Sequence, residues 1–315
     1  MSATSSSQIS GSRAESLAAP GTARREASAV ALQPRLVFDI GMHRGEDTEF
    51  YLSRGCNVVG IEANPTLVSQ LREKFATEIA NGRVQIVDKA IADTPGRVAF
   101  TIDASHSIWG SISPSFIERN QHLADAQSAA AANQVVEVES TTLDELIRVY
   151  GTPYYMKVDI EGMDMACVRG LHNCRSKPRY LSIESAVTSA VTSVETGFDE
   201  LAHLWTLGYR SFKYVDQSEL ARLDGSTLDR EGPSMRYKYR SDSSGPFGEE
   251  SPGTWRSIGP TLSRMRALVV YQNSIGPGGR YYDTLASKIG RRLYQILRRR
   301  SHSWYDLHAR LGPAA

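Results

Sequence analysis

Residues 37–55, VFDIGMHRGEDTEFYLSRG, decide how the rest of the chain is read. An apolar run ends at Asp39, glycines follow at 41 and 45, and a helix-like segment with Phe50 and Leu52 among its apolar positions runs to Gly55. That is a strand, a tight turn and a helix, the opening unit of an α/β sheet. Gly41 permits the turn, and Gly45 lets the following helix start close to whatever the turn holds.

The pattern continues outward from this unit. NVVGIEA is a second strand, PTLVSQLREKFATEIANG a helix with Pro65 at its start, and RVQIVDKAI a third strand. GRVAFTID and VVEVEST read as further strands, TLDELIRVY as a short helix, and YYMKVDIEG as a strand ending in acids. RYLSIES and YRSFKYVD follow as strands, with the helix FDELAHLWTLG between them. Alternation of this kind predicts a mostly parallel sheet with helices on both faces, whose ligands lie at the carboxyl ends of the strands. After residue 216 the pattern breaks. SSGPFGEESPG is a loop, TLSRMRALVVYQ suits helix or strand, and KIGRRLYQILRRR is a basic helix. The expected units are a disordered tail over 1–33, a core over 34–216 and an extension over 217–315 with a loop or lid, the basic helix and a last strand.

Composition narrows the classes. The 315 residues carry 36 basic and 35 acidic side chains, a net charge of +1, which gives no global field for nucleic acid. Cys56, Cys167 and Cys174 are too few and too irregular for a disulfide framework or a zinc site. The Ser- and Ala-rich start lacks a hydrophobic segment, so a secretory signal is not expected. Arg13, Arg24 and Arg25 faintly suit a transit peptide, against which Glu15 and Glu26 count. A cytoplasmic location is the default expectation, and no apolar stretch is long enough for a membrane span.

The strand ends carry the chemistry. A dinucleotide turn has three glycines as G-x-G-x-x-G and offers a helix start to a pyrophosphate. Here the spacing is G-x-x-x-G, and Asp39 stands just ahead of it. A carboxylate there repels a pyrophosphate and attracts a cation. S-adenosylmethionine has an ammonium and a sulfonium and no phosphate, so the turn suits the methyl donor better than NAD. Glu62, at the end of the second strand, suits the ribose hydroxyls of either ligand. Asp88, at the end of the third, suits the adenine amino group, with Lys89 and Ala90 supplying backbone contacts and a flat wall. Taken singly, such acids are as readily helix caps or turn residues.

The run VFDIGMHRGEDTEFYLSRGCNVVGIEANP, with MKVDIEGMD and YLSIES, resembles the FkbM-type family of S-adenosylmethionine-dependent methyltransferases over roughly residues 35–215. The resemblance implies the class I Rossmann-like fold, a seven-stranded, mostly parallel sheet, and methylation of hydroxyl groups on sugars, glycans or natural products. By position it implies that Asp39, Gly41, Gly45, Glu62 and Asp88 hold the cofactor, with Met42, Thr48 and Ala63 beside them. Family members often have GAN or GMN in the first turn. This chain has Met42 and His43 there, which puts His43 near the methionine moiety. The family also makes SWYDLHARL the final antiparallel strand, paired with YRSFKYVD.

For catalysis, Asp159 and Glu161 are the expected bases for a hydroxyl proton, with His43 and His106 as other acceptors of it. The structural alternative is that Asp159 binds the cofactor's ammonium and Glu161 caps a helix. Asp159, Glu161, Asp164 and Glu184 have the oxygen chemistry for Mg²⁺, yet no spacing demands a metal, and none is expected. Trp109 and Arg119, or Phe247 and Trp255 on a lid, are the residues for acceptor recognition. The basic end of the chain, with Lys288, Arg291, Arg292 and Arg298 to Arg300, suits either a solvated face or peripheral contact with an anionic membrane. The rival readings are a nicotinamide-dependent dehydrogenase and a non-catalytic adenosyl-binding partner subunit.

Overall fold

The computed structural model describes residues 35–102, 110–113, 134–188, 193–217, 220–223, 225–240, 243–276, 279–298 and 305–312. The expected tail over 1–33, His106, Trp109, Arg119, Arg299 and Arg300 lie outside them.

The first unit forms as its pattern predicts: strand β1 (Leu36–Ile40) and helix α1 (Glu46–Ser53), joined by the glycine turn. Next come β2 (Asn57–Glu62), α2 (Pro65–Lys74), α3 (Ala76–Ala80) and β3 (Val84–Asp88). Asn64 caps α2, its side chain accepting from the Thr66 N–H at 3.0 Å, and Pro65 occupies the first helical position. Strands β4 (Ala90–Ile91), β5 (Gly96–Ile102) and β6 (Gln134–Thr141) leave the main sheet and make a small one of their own, in the order β4-β6-β5. Helix α4 (Leu143–Tyr150), β7 (Tyr155–Val158), α5 (Asp164–Gly170), β8 (Tyr180–Glu184), α6 (Val194–Thr206) and β9 (Tyr209–Asp216) complete the alternating part.

Beyond β9 stand a short α7 (Leu220–Leu223), the two-residue strands β10 (Thr227–Leu228) and β11 (Met235–Arg236), α8 (Ile258–Ser274), α9 (Leu285–Arg298) and β12 (Tyr305–Leu311). The ambiguous TLSRMRALVVYQ is therefore helix. SWYDLHARL supplies β12, which runs antiparallel to β9, pairing Leu307 with Tyr214, and antiparallel to β8, pairing Leu307 with Ile183. The main sheet has the order β3-β2-β1-β7-β8-β12-β9, with six parallel strands and β12 reversed. This is the class I methyltransferase fold. The chain moves one way from β1 to β3 and the other way from β7 to β8, so the order switches between β1 and β7.

The period of two along each strand separates two cores. Phe38 and Ile40 of β1, with Met156, Val158, Leu181 and Ile183, face Leu201 and Leu204 of α6 and Met265 and Leu268 of α8. Val37, Val58 and Tyr155 face the other way, toward Phe50 and Tyr51 of α1 and toward Tyr239 and Phe247 of the extension. The segment expected to be a loop or lid is a strap packed into this second core. Phe247 is 1% exposed and stacks on Tyr155, ring centroids 4.4 Å apart and 9° from parallel. Trp255 stacks on Tyr180 and donates its indole N–H to Glu249 at 3.1 Å. Glu231 binds Arg35 at 2.7 Å and Tyr154 at 2.9 Å, while the fully buried Arg54 meets Glu250 at 2.7 Å. These contacts join the strap to the start of β1, the entry to β7 and the end of α1.

Candidate active site

A cleft opens at the carboxyl ends of β1, β2 and β7, where the strand order switches, and offers about 860 Å³ counted to its mouth. Its floor is the first turn, Gly41 to His43, and the turn after β7, Asp159 to Glu161. Leu67, Ile91, Phe100 and Ile112 give it an apolar wall on the side of the small sheet.

Glu62 fixes the first turn. Its Oε2 accepts from the His43 backbone N–H at 2.9 Å and its Oε1 from the Asn64 backbone N–H at 2.8 Å. Each carboxylate oxygen keeps a second lone pair, so both remain able to accept a hydroxyl from the cleft. Burial raises the Glu62 carboxyl above its ordinary range, against the pull of those two amides. His43 takes a left-handed backbone, φ 51°, and its Nδ1 lies 3.6 Å from Glu46 Oε2. Burial works against ionised Glu46, but the bond from His43 and the helix-start amide hold its carboxyl below the usual value.

The electrostatic centre is Lys157. Its place in β7 follows from parity: Tyr155 and Lys157 face the strap side, as do Val37 and Asp39 on the neighbouring strand. Nζ lies 3.1 Å from Asp47, 3.4 Å from Asp159 and 3.7 Å from Asp39, and within 3.4 Å of the Gly41 carbonyl oxygen. Burial alone would favour the neutral amine, but the three carboxylates override it and keep the ammonium charged well beyond the usual lysine range. Asp39 is fully buried and accepts from Thr48 Oγ1 at 2.6 Å. Burial pushes its carboxyl up to about 7, with Lys157 pulling the other way. One cation among three carboxylates leaves the floor of the cleft negative. Such a floor suits an ammonium or sulfonium and opposes a phosphate.

The expected residues divide into three groups. Gly41, Met42, His43, Glu62, Ala63, Ala90, Asp159 and Glu161 all line the cleft. Asp39, Gly45 and Thr48 stand behind it: Asp39 acts through its field, and Gly45 opens α1 in a left-handed conformation, φ 77°. A Cβ on Gly45 would lie 2.4 Å from the Phe75 ring, so its bareness serves packing against α2 rather than contact with a ligand. Asp88 and Lys89 are elsewhere. Asp88 ends the edge strand of the sheet, is exposed, and lies 3.5 Å from Arg72; Lys89 pairs with Glu139 of β6 at 3.0 Å. Neither lines the cleft. The residues that sequence reasoning passed over are Lys157, Asp47, Asn64 and Ser111. A lysine inside a four-residue buried strand was the available signal for the first. Ser111 donates to the Glu161 carbonyl at 2.7 Å and so holds the turn that carries Glu161, whose φ is 48°.

The Methyltransferase FkbM domain matches residues 39–211, more than half of the chain. A curated relative from Methanospirillum hungatei, named "Probable ribosomal RNA small subunit methyltransferase A", is 33% identical over 76 residues, 24% of this chain and 30% of the relative's own length. Among solved structures, a SAM-dependent methyltransferase from Thiobacillus denitrificans in complex with S-adenosyl-L-homocysteine is 10% identical, with 89% of this chain and 86% of that one covered and a TM-score of 0.33. A second, from Geobacter sulfurreducens with the same ligand, is 11% identical, with 90% and 86% covered and a TM-score of 0.31. Likenesses that low carry no argument by themselves. The domain match does: the chain belongs to the FkbM methyltransferase family.

Proposed function

We propose that this protein transfers a methyl group from S-adenosylmethionine to a hydroxyl oxygen of a sugar, glycan or natural product. The observation that carries the reading is Asp159. It follows β7 beside the first turn, its side chain is 39% exposed at the cleft, and Lys157 holds it at 3.4 Å. A carboxylate so placed has one oxygen held by a cation and the cleft open before it.

The residues present fit the methyl donor. The buried Asp39 Oδ1 accepts no hydrogen bond among the described residues and lies 3.7 Å from Lys157 Nζ, so the carboxylate keeps capacity toward a second cation in the cleft. Glu62 has lone pairs for ribose hydroxyls, and Leu67, Ile91 and Phe100 would hold an adenine ring. When bound, the cofactor supplies an electrophilic methyl on a sulfonium. The chain's part is to bind and orient the acceptor and to take its proton. Asp159 is the base in this reading and accepts the hydroxyl proton on Oδ, with Glu161 in the same turn as the second carboxylate. An acceptor hydroxyl needs no strong base when the proton leaves late, so a partly exposed carboxylate suffices.

The test is to incubate the protein with labelled S-adenosylmethionine and separate pools of glycans, small hydroxylated metabolites and RNA. Label in a hydroxylated small molecule or glycan supports the proposal, and label confined to RNA overturns the acceptor class. Asp159→Ala should keep S-adenosylhomocysteine binding while transfer falls by about 100-fold or more. Transfer that survives the substitution removes Asp159 from the role of base. Binding without transfer to any pool favours the non-catalytic partner subunit.

A further inference from the structure

The family match stops at residue 211, yet one contact from beyond it reaches the centre of the cleft. Ser243, in the strap, donates its hydroxyl to Asp47 Oδ1 at 2.6 Å. The backbone N–H of Ser244 donates to both Asp47 oxygens, at 2.9 and 3.1 Å. Asp47 Oδ2 is in turn 3.1 Å from Lys157 Nζ, which lies under the Gly41 carbonyl. Ser243, Asp47 and Lys157 are all buried.

We propose that Ser243 is a positioning residue for the methyl-donor site: it holds Asp47, and through Asp47 it fixes Lys157 beneath the glycine turn. The cofactor half of the cleft is thus finished by a segment outside the family domain. This rests on the methyl-donor reading above. Lys157 has three carboxylate partners and one positive charge, so its position is a balance among them. The hydrogen bonds from Ser243 and Ser244 neutralise part of Asp47 and limit its share. Without them Asp47 has, among the described residues, only Lys157 to answer its charge, and a buried carboxylate stripped of donors is costly. It then draws the ammonium toward α1, away from Asp39, Asp159 and the turn.

The strap supports the corner from both sides. Gly245 N–H donates to Ser243 Oγ at 3.2 Å, and Phe247 two residues on is locked against Tyr155. Arg240, before the corner, pairs with Glu49 of α1 at 3.1 Å. Ser243 therefore presents its hydroxyl from a fixed backbone.

The experiment is calorimetric titration of the full chain with S-adenosylhomocysteine across the neutral pH range, for wild type, S243A and S243T. The groups facing Asp39 are Lys157 from β7, Asp47 from α1 and Asp159 from the turn after β7, with Tyr51 behind; Asp306 of β12 adds its field at Lys157. Affinity in the wild type should fall as pH drops through about 7, where Asp39 takes up a proton. S243A should bind about tenfold more weakly, with its inflection moved upward as Lys157 leaves Asp39. S243T, which keeps the hydroxyl, should restore both. A purely structural role would lower the melting temperature of S243A and leave affinity and inflection unmoved, which overturns the proposal. If S243A does not fold, S243C is read by the same two measures. Absence of binding by the wild type itself would instead sink the methyl-donor reading.

Discussion

The carbonyl oxygen of Asp159 occupies the place where residue 41 would carry its side chain: a Cβ built on Gly41 falls 1.8 Å from that oxygen. The turn after β1 and the turn after β7 are in contact across the switch point, and φ 82° at Gly41 adds a second reason for glycine. Gly41→Ala must push the two turns apart. It should lower S-adenosylhomocysteine affinity by about 100-fold or more and reduce stability by several kcal/mol, about what strain at a special backbone position costs. Calorimetry and urea denaturation on the same preparation check both.

Lys157→Met should be worse for stability than for shape. It leaves Asp39, Asp47 and Asp159 as buried or half-buried acids without their cation, and breaking such a set costs about 3–5 kcal/mol. The deficit should shrink as pH falls toward about 7, because Asp39 without the lysine takes up its proton above that value and no longer needs a partner. Denaturation midpoints of wild type and K157M at several pH values test this. A deficit independent of pH would mean that the lysine serves packing alone.

Glu200 offers a cleaner titration. It is buried, bonded to Ser185 at 2.8 Å and to the Ala186 N–H at 2.7 Å, and burial pushes its carboxyl up to about 7 despite those bonds. Its folded-state pKa lies above the unfolded value of 4.5, so between the two the native state holds a proton that the unfolded chain has lost. Stability from this group therefore falls as pH rises from about 4.5 to 7. E200Q removes that loss. Its melting temperature relative to wild type should climb with pH through the window and level off above it. A constant difference would refute the linkage.

Phe247→Ala distinguishes a strap from a lid. A fully buried phenylalanine stacked on Tyr155 should cost about 3–5 kcal/mol when truncated, whereas a mobile lid residue would change substrate kinetics and leave the unfolding midpoint alone.

Much of the architecture was readable because its signals are local. Val37, Phe38 and Ile40 announce β1, and Asn64-Pro65 announces the start of α2. The antiparallel β12 was different. YDLHARL alternates weakly and carries His308 and Asp306 inside the sheet, so the family likeness, not its periodicity, identified it. Helix α8 was ambiguous because Ala267 to Val270 is apolar all round, and only packing against Gly197 and Leu201 of α6 decides it. At the site, the strand-end rule leads to Glu62 and Asp159, which line the cleft, and to Asp88, which ends an edge strand, is exposed and does not line it. It could not find Asp47 or Ser243. Their meeting depends on a strap held by Tyr155 and Arg54, both far from Ser243 in sequence.

The reversed strand has a consequence for biosynthesis. β12 lies between β8 and β9, so those two parallel strands have no direct pairing with each other. A ribosome delivers β9 long before it delivers β12, and in that interval both neighbours present open edges in a half-built sheet. Chaperone dependence, and aggregation of chains stalled before residue 305, should concentrate in that interval.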